Sequence, residues 1–144
     1  MKKKVISACL GFEHCRYDGR LSGARGIKKR AGGVKFYPIC PEVAIGLGVP
    51  RARIRLVKTA QGIRLIQPST GKDLTAKMRR FGKSFLKKAG RVDGFILKSK
   101  SPSCGIGNVK IYSGPKSRKP VARGTGIFAA LILKTKGVQH VQCI

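Results

Sequence analysis

The sequence predicts an α/β fold. It is read as a single domain over residues 1–144, with a mostly parallel sheet flanked by helices in a Rossmann-like three-layer arrangement and a small β-hairpin. Three observations carry this. Short apolar runs of strand length alternate with segments of helical period, the pattern of a parallel sheet with crossover helices. Two runs, IRLV at 54–57 and IRLI at 63–66, alternate apolar and basic residues across a turn near Gly62, which is hairpin patterning. The length of 144 residues, 42% of them hydrophobic, is enough to bury one core.

Taken in order, residues 5–10 (VISACL) read as a short buried strand, and Arg16-Tyr17-Asp18-Gly19 as a turn. The leading lysines and the Ile6-Ser7-Ala8-Cys9 run imitate an export signal. Only four apolar-run residues precede Cys9, whereas a secretory core needs about 7–15. A soluble cytoplasmic protein is expected. Residues 20–32 predict a short basic helix, and residues 34–39 a second strand that runs into Cys40-Pro41-Glu42 and a looser GLGVPR stretch. From 72 to 89 the spacing of Leu74, Met78, Phe81, Phe85 and Leu86 predicts an amphipathic helix, stopped by Gly90. Its polar face carries Lys77, Arg80, Lys83, Lys87 and Lys88. Residues 95–98 predict a strand leading into Ser101-Pro102-Ser103-Cys104-Gly105. Residues 126–133 begin a last apolar helix ending near Gly137, and 138–141 predict a closing strand.

Charge narrows the partners. Lys and Arg number 32 against five carboxylates, a formal net charge of +27. A field of this sign attracts polyanions, nucleic acid first and an anionic membrane surface second. The basic residues are dispersed, as on a folded surface rather than a tail. No run reaches the roughly 20 apolar residues of a membrane span.

Five cysteines, an odd number in a chain expected in the cytoplasm, argue against a disulfide framework and for a metal site, a reactive thiol or burial. There is no CxxC, which argues against a zinc finger. Ligands of open α/β sheets bind beyond the carboxyl ends of the strands. Cys9 ends the first strand, Cys40 the second, and Cys104 follows the strand at 95–98, so the three are expected to converge on one sheet edge. Thiolates are soft ligands and select zinc, copper(I) or iron–sulfur clusters. Cys143 reads as a buried hydrophobe; Cys15 stays open as a fourth ligand, a persulfide carrier or a structural thiol. Glu42, two residues past Cys40, is suited equally to general-base work and to an ion pair with a nearby arginine. Ser101 and Ser103 offer hydroxyls either to a bound anion or to turn bonding. His140 reads as a core residue of the last strand, and no Cys–His pair suggests a cysteine nucleophile.

SACLGFEHCRYDG, PICPEVAIGLGVPR, FILKSKSPSCG and GTGIFAALIL, spread over nearly the whole chain, together resemble the thiouracil and thiouridine desulfidase family, long a domain of unknown function. The IGLGVPR and SPSCGIGNVKIY variants look closer to the branch acting on 4-thiouridine in tRNA; that branch's second domain is not part of these 144 residues. The resemblance implies a [4Fe–4S] cluster held by Cys9, Cys40 and Cys104, with Cys15 in reserve. It implies catalytic help from Glu42 and from a serine of SPSCG, Ser101 ahead of Ser103. The reaction it implies is hydrolytic: water replaces the sulfur of a thiolated pyrimidine base, nucleoside or nucleotide, or of such a residue in tRNA, and hydrosulfide leaves without net redox change. Arg16, Tyr17, Asp18 and Tyr112 are the expected contacts to the pyrimidine. The alternative, on composition alone, is a small basic RNA-binding protein with a structural metal or none.

Overall fold

A computed structural model describes residues 2–10, 17, 30–31, 33–137 and 140–144. Strand β1 (Lys2–Ser7) pairs in parallel with β3 (Val34–Ile39) and with β7 (Gly94–Leu97); β10 (Val141–Cys143) pairs in parallel with β7. The short β2 (Arg30–Ala31) runs antiparallel to β3, giving the sheet order β10-β7-β1-β3-β2. The mostly parallel sheet predicted from the alternation of runs is therefore present. Its central strands are apolar on both faces, as a sheet covered on both sides requires. Val5, Phe95 and Leu97 enter the main core, whereas Ile6 and Ile96 face the other way and pack with Leu10 and Phe36.

The predicted hairpin is the middle of a second sheet. Strands β4 (Arg55–Thr59) and β5 (Gly62–Gln67) pair antiparallel around the turn at Gly62, whose φ of +96° favours glycine. Beside β5 lies β6 (Lys72–Asp73), and on the far side of β4 lies a parallel strand, β8 (Val109–Tyr112), followed by antiparallel β9 (Pro120–Gly124). The order is β6-β5-β4-β8-β9. Strands β8 and β9 escaped the sequence reading: β8 is only four residues long, and β9 is mostly exposed and lacks an apolar run.

Among the described residues, three helices complete the fold: α1 (Pro41–Ala44), α2 (Thr75–Ala89) and α3 (Ile127–Lys136). The predicted second helix starts three residues later than its periodicity suggests, because Lys72 and Asp73 are held in β6 opposite Gln67 and Ile66. Asp73 then accepts the Thr75 amide at 3.0 Å. Met78 and Leu86 of α2 and Phe128, Ala129 and Ile132 of α3 enter the core that both sheets share. The rings of Phe81, Phe85 and Phe128 meet at centroid distances of 5.6–5.8 Å, a spacing favourable for tilted aromatic pairs. Of the closing strand expected at 138–141, residues 138–139 lie outside the described residues; the described strand is Val141–Cys143, and His140 is exposed ahead of it rather than in the core. The expected basic helix at 20–32 falls almost wholly outside the described residues. No helix among the described residues is long and apolar enough to cross a membrane.

Candidate active site

Parallel pairing decides where the cysteines go. Ser7 of β1 stands opposite Ile39 of β3, and Ile6 opposite Ile96 of β7, so all three strands end at the same rim. The Ala8 amide donates to the Ile39 carbonyl at 2.8 Å, which carries the pairing one step past the strand. Cys9 follows directly. Cys40 is the residue between β3 and α1, in extended conformation, and Pro41 opens the helix. Proline suits that first position because its missing N–H would have no partner there. Cys104 arrives by a longer route, in the loop after β7. Ser101 Oγ accepts the amides of Ser103 (3.2 Å) and Cys104 (3.1 Å), and the Gly105 amide bonds the Ser101 carbonyl at 2.8 Å, so the SPSCG segment winds into a tight turn.

That turn is clamped to α3. A helix leaves its first amides without intrahelical partners. In α3 no side chain caps them; instead Ile127 donates to the Pro102 carbonyl (3.1 Å) and Ala129 to the Ser103 carbonyl (2.9 Å), and Gly126 donates to Gly105 (2.8 Å). The helix holds the loop, and the loop holds Cys104.

Cys9, Cys40 and Cys104 all border one cleft of about 480 Å³ between the rim of the first sheet and the β4–β8 side of the second. Glu42, Ser101, Tyr17 and Tyr112 border it as well. The convergence expected from strand ends is thus present. Burial pushes the Cys104 thiol well above its ordinary range; a Ser7 hydroxyl bonded to its sulfur works against this, and the nearby Glu42, Cys40 and Cys9 add to the rise. A thiol in that setting ionises only beside a compensating cation. Among the described residues no three His, Cys, Asp or Glu side chains close around a single point as one metal ion requires. Among the described residues the donor set, three sulfurs and no histidine, is the soft set that iron–sulfur chemistry takes.

Glu42 forms the ion pair that the sequence left open. Arg51 Nη2 donates to Glu42 Oε2 at 2.8 Å, and both side chains are largely buried, 5% and 17% exposed. Arg51 also reaches the Gly48 carbonyl at 3.2 Å. The pair sits on the cleft wall, so the carboxylate is both oriented and available. Ser101 spends its oxygen on two amides; among the described residues its hydroxyl proton has no protein acceptor, which leaves it to donate into the cleft. Ser103 is different: it is wholly buried, stands outside the cleft lining, and its Oγ has no hydrogen-bond partner among the described residues.

The opposite wall is basic and flat. Arg55 lies 3.8 Å over the Tyr112 ring and Arg53 4.5 Å over the Tyr17 ring, where Arg53 also donates to the Tyr17 hydroxyl. Stacked guanidinium and phenol rings of this kind are held by the ring quadrupole. Each tyrosine therefore has one face already covered. Lys98, Lys100 and Lys110 add further positive charge around the cleft. Arg51, Ser7 and the two arginine stacks were not singled out in the sequence. The alternation of Arg53 and Arg55 along a basic strand face was the available signal. Cys15, Arg16 and Asp18 lie outside the described residues.

Comparison with known proteins gives the family and the fold. The model of a family described as 2-thiouracil desulfurase matches residues 5–142. A protein of Bacillus subtilis (strain 168) named uncharacterized protein YbbK is 32% identical over 135 residues, covering 89% of this chain and 87% of that protein. A solved structure of the [4Fe–4S]-dependent thiouracil desulfidase TudS superposes with a TM-score of 0.69 at 29% identity, covering 100% of this chain and 90% of that one.

Proposed function

This chain belongs to the 2-thiouracil desulfurase family, and from that premise we propose that it is a desulfidase that replaces the sulfur of a thiolated pyrimidine by oxygen from water. Thiouracil is the first substrate to expect; 4-thiouridine, as nucleoside, nucleotide or tRNA residue, is the second. Cys9, Cys40 and Cys104 hold a [4Fe–4S] cluster, with Cys15 as the further thiol. The likeness to the [4Fe–4S]-dependent thiouracil desulfidase TudS supports the cofactor. When bound, a cluster with three protein thiolates supplies one iron with an open position, a Lewis acid for the thiocarbonyl sulfur.

The remaining chemistry falls to side chains. Glu42 takes the proton from the attacking water, and Arg51 holds the carboxylate in place for it. Ser101 donates its hydroxyl proton to the substrate, since two amides already occupy its oxygen; Ser103, behind the wall, supports the turn. The Tyr17 and Tyr112 rings, each backed by an arginine, offer a flat wall for a pyrimidine, which Arg16 and Asp18 would complete. Lys98 and Lys100 stabilise the negative charge of departing hydrosulfide. Oxygen enters as sulfur leaves, so nothing is oxidised or reduced. A reducing cytoplasm keeps free cysteines as thiols and is the setting we assign.

The observation that carries the proposal is the meeting of three cysteines from separate segments at one cleft with Glu42 and Ser101. Its test is purification without oxygen, with iron, acid-labile sulfide and zinc measured, followed by addition of thiouracil or 4-thiouridine. Brown protein with near-stoichiometric iron and sulfide, and formation of uracil or uridine, is expected. A colourless, zinc-containing or metal-free protein without turnover refutes it and leaves the RNA-binding alternative.

A further inference from the structure

Helix α2 carries six cations in 15 residues: Lys77, Arg79, Arg80, Lys83, Lys87 and Lys88. All six are exposed, and the helix contains no carboxylate. At 100° per residue they occupy one half of its circumference, over a length of about 17 Å. The other half, with Met78 and Leu86, is buried in the core. The exposed arc holds only Ala76 and Ser84 besides the cations. None of these residues borders the cleft.

The carboxylates near the two ends of the helix do not neutralise this face. Asp73 is engaged by Arg64 at 2.7 Å and by the Thr75 amide. Asp93 accepts the Lys3 amide at 2.7 Å and lies 3.6 Å from Arg91. More positive charge joins the far end, where Lys136 of α3 donates to the Gly90 carbonyl at 3.2 Å and Lys134 is exposed nearby in sequence.

We propose that the exposed face of α2 is a docking surface for the phosphate backbone of RNA, separate from the cleft. A stripe of closely spaced like charges repels itself, and a partner with regularly spaced anions relieves that repulsion. The arc has no apolar or aromatic residue larger than alanine, so it lacks the hydrophobic face that membrane-surface helices insert and the aromatic anchors of protein interfaces. A polyphosphate chain fits what is left. The choice of RNA over DNA rests on the desulfidase reading, since thiolated pyrimidines are met in RNA; the charge argument does not depend on it. Contacts of this kind position a nucleic acid without reading its sequence.

The test uses the cluster-loaded protein and a fluorescent RNA hairpin of ordinary, unthiolated bases, with binding followed by anisotropy at several salt concentrations. The variant K77Q/R80Q/K83Q/K87Q is compared with K116Q/R118Q/K119Q/R123Q, which removes as many exposed cations from the β8–β9 region. The first is expected to weaken binding at least tenfold and to lower the slope of log K against log salt by about 3. The second should change affinity by less than about threefold, on the same counterion argument if those cations face no phosphate. Thiouracil turnover should be unchanged in both, which keeps a failure of the surface distinct from a failure of the chemistry. Equal losses in the two variants would mean a diffuse basic coat and overturn the proposal. So would undiminished RNA binding by the α2 variant, tighter binding to DNA of the same sequence, or α2-dependent binding only to phosphatidylglycerol vesicles.

Discussion

At the scale of single residues, the ion pair that Glu42 makes is compatible with the general-base role proposed for it. Its ion pair with Arg51 is real, and the pair lines the cleft. A largely buried guanidinium fixes a carboxylate in one orientation, which a base that must meet one water requires. Cys40 does something separable, because its sulfur is a ligand candidate and not a proton acceptor. Cys40→Ala is therefore expected to lose both iron and turnover, whereas Glu42→Gln should keep its iron and lose turnover by about 10²- to 10⁴-fold, the usual contribution of a general base. Iron content and rate, measured on the same preparations, check both. If Glu42→Gln also loses iron, the carboxylate supports the site's structure instead of the reaction. The placement of Cys104, unlike that of Cys9 and Cys40, was legible in the sequence only roughly. It lies seven residues past its strand, and hydrogen bonds to Ser101 determine where it arrives.

At the scale of elements, the SPSCG turn and α3 form one unit. The turn supplies carbonyls to the helix amides, and Gly126 lets the two approach. A Cβ there would stand 2.5 Å from the Ser103 carbonyl carbon and 2.8 Å from the Pro102 oxygen, both backbone atoms that cannot swing aside. Gly126→Ala should lower stability by about 1–3 kcal/mol, the range for overpacking, and should reduce iron content because Cys104 moves with its loop. A variant with unchanged melting temperature and full iron would show that the loop adapts. Helix α2 shows a different conflict. Like-charge neighbours Lys77/Arg80, Arg79/Lys83, Arg80/Lys83 and Lys83/Lys87 oppose the helix by about 1–2 kcal/mol in sum, taking 0.2–0.5 kcal/mol per pair. Burial of Met78 and Leu86, each on the order of 1.5–3 kcal/mol, outweighs it. The periodicity that revealed α2 in the sequence is therefore the same feature that stabilises it.

At the scale of the whole molecule, a net charge of +27 acts on the fold as self-repulsion. Ion pairs offset little of it, since exposed pairs such as Arg91–Asp93 contribute about 0–1 kcal/mol. Raising salt from about 0.01 M to about 0.15 M shortens the screening length from about 30 Å to about 8 Å. The melting temperature should rise by several degrees over that range, as calorimetry or circular dichroism would read. A flat or falling profile would mean that the positive charges lie too far apart to repel one another. Nucleic acid should raise the melting temperature at low salt by the same physics.

Some of this was decided by order along the chain. The alternation of apolar runs, the amphipathic period of α2, the excess of cations and the placing of Cys9 and Cys40 just past strands are local properties, and short-range sterics and burial suffice to express them. Other features needed the folded chain. Strand β9 gains its identity from the partner it finds, because an exposed edge strand has no apolar pattern of its own. Arg55 stacks on Tyr112 because pairing of β4 with β8 brings distant residues within a few ångströms, and no spacing in the sequence encodes that distance. The cleft itself exists only where the rim of one sheet faces the other, which is a property of packing and not of any single segment.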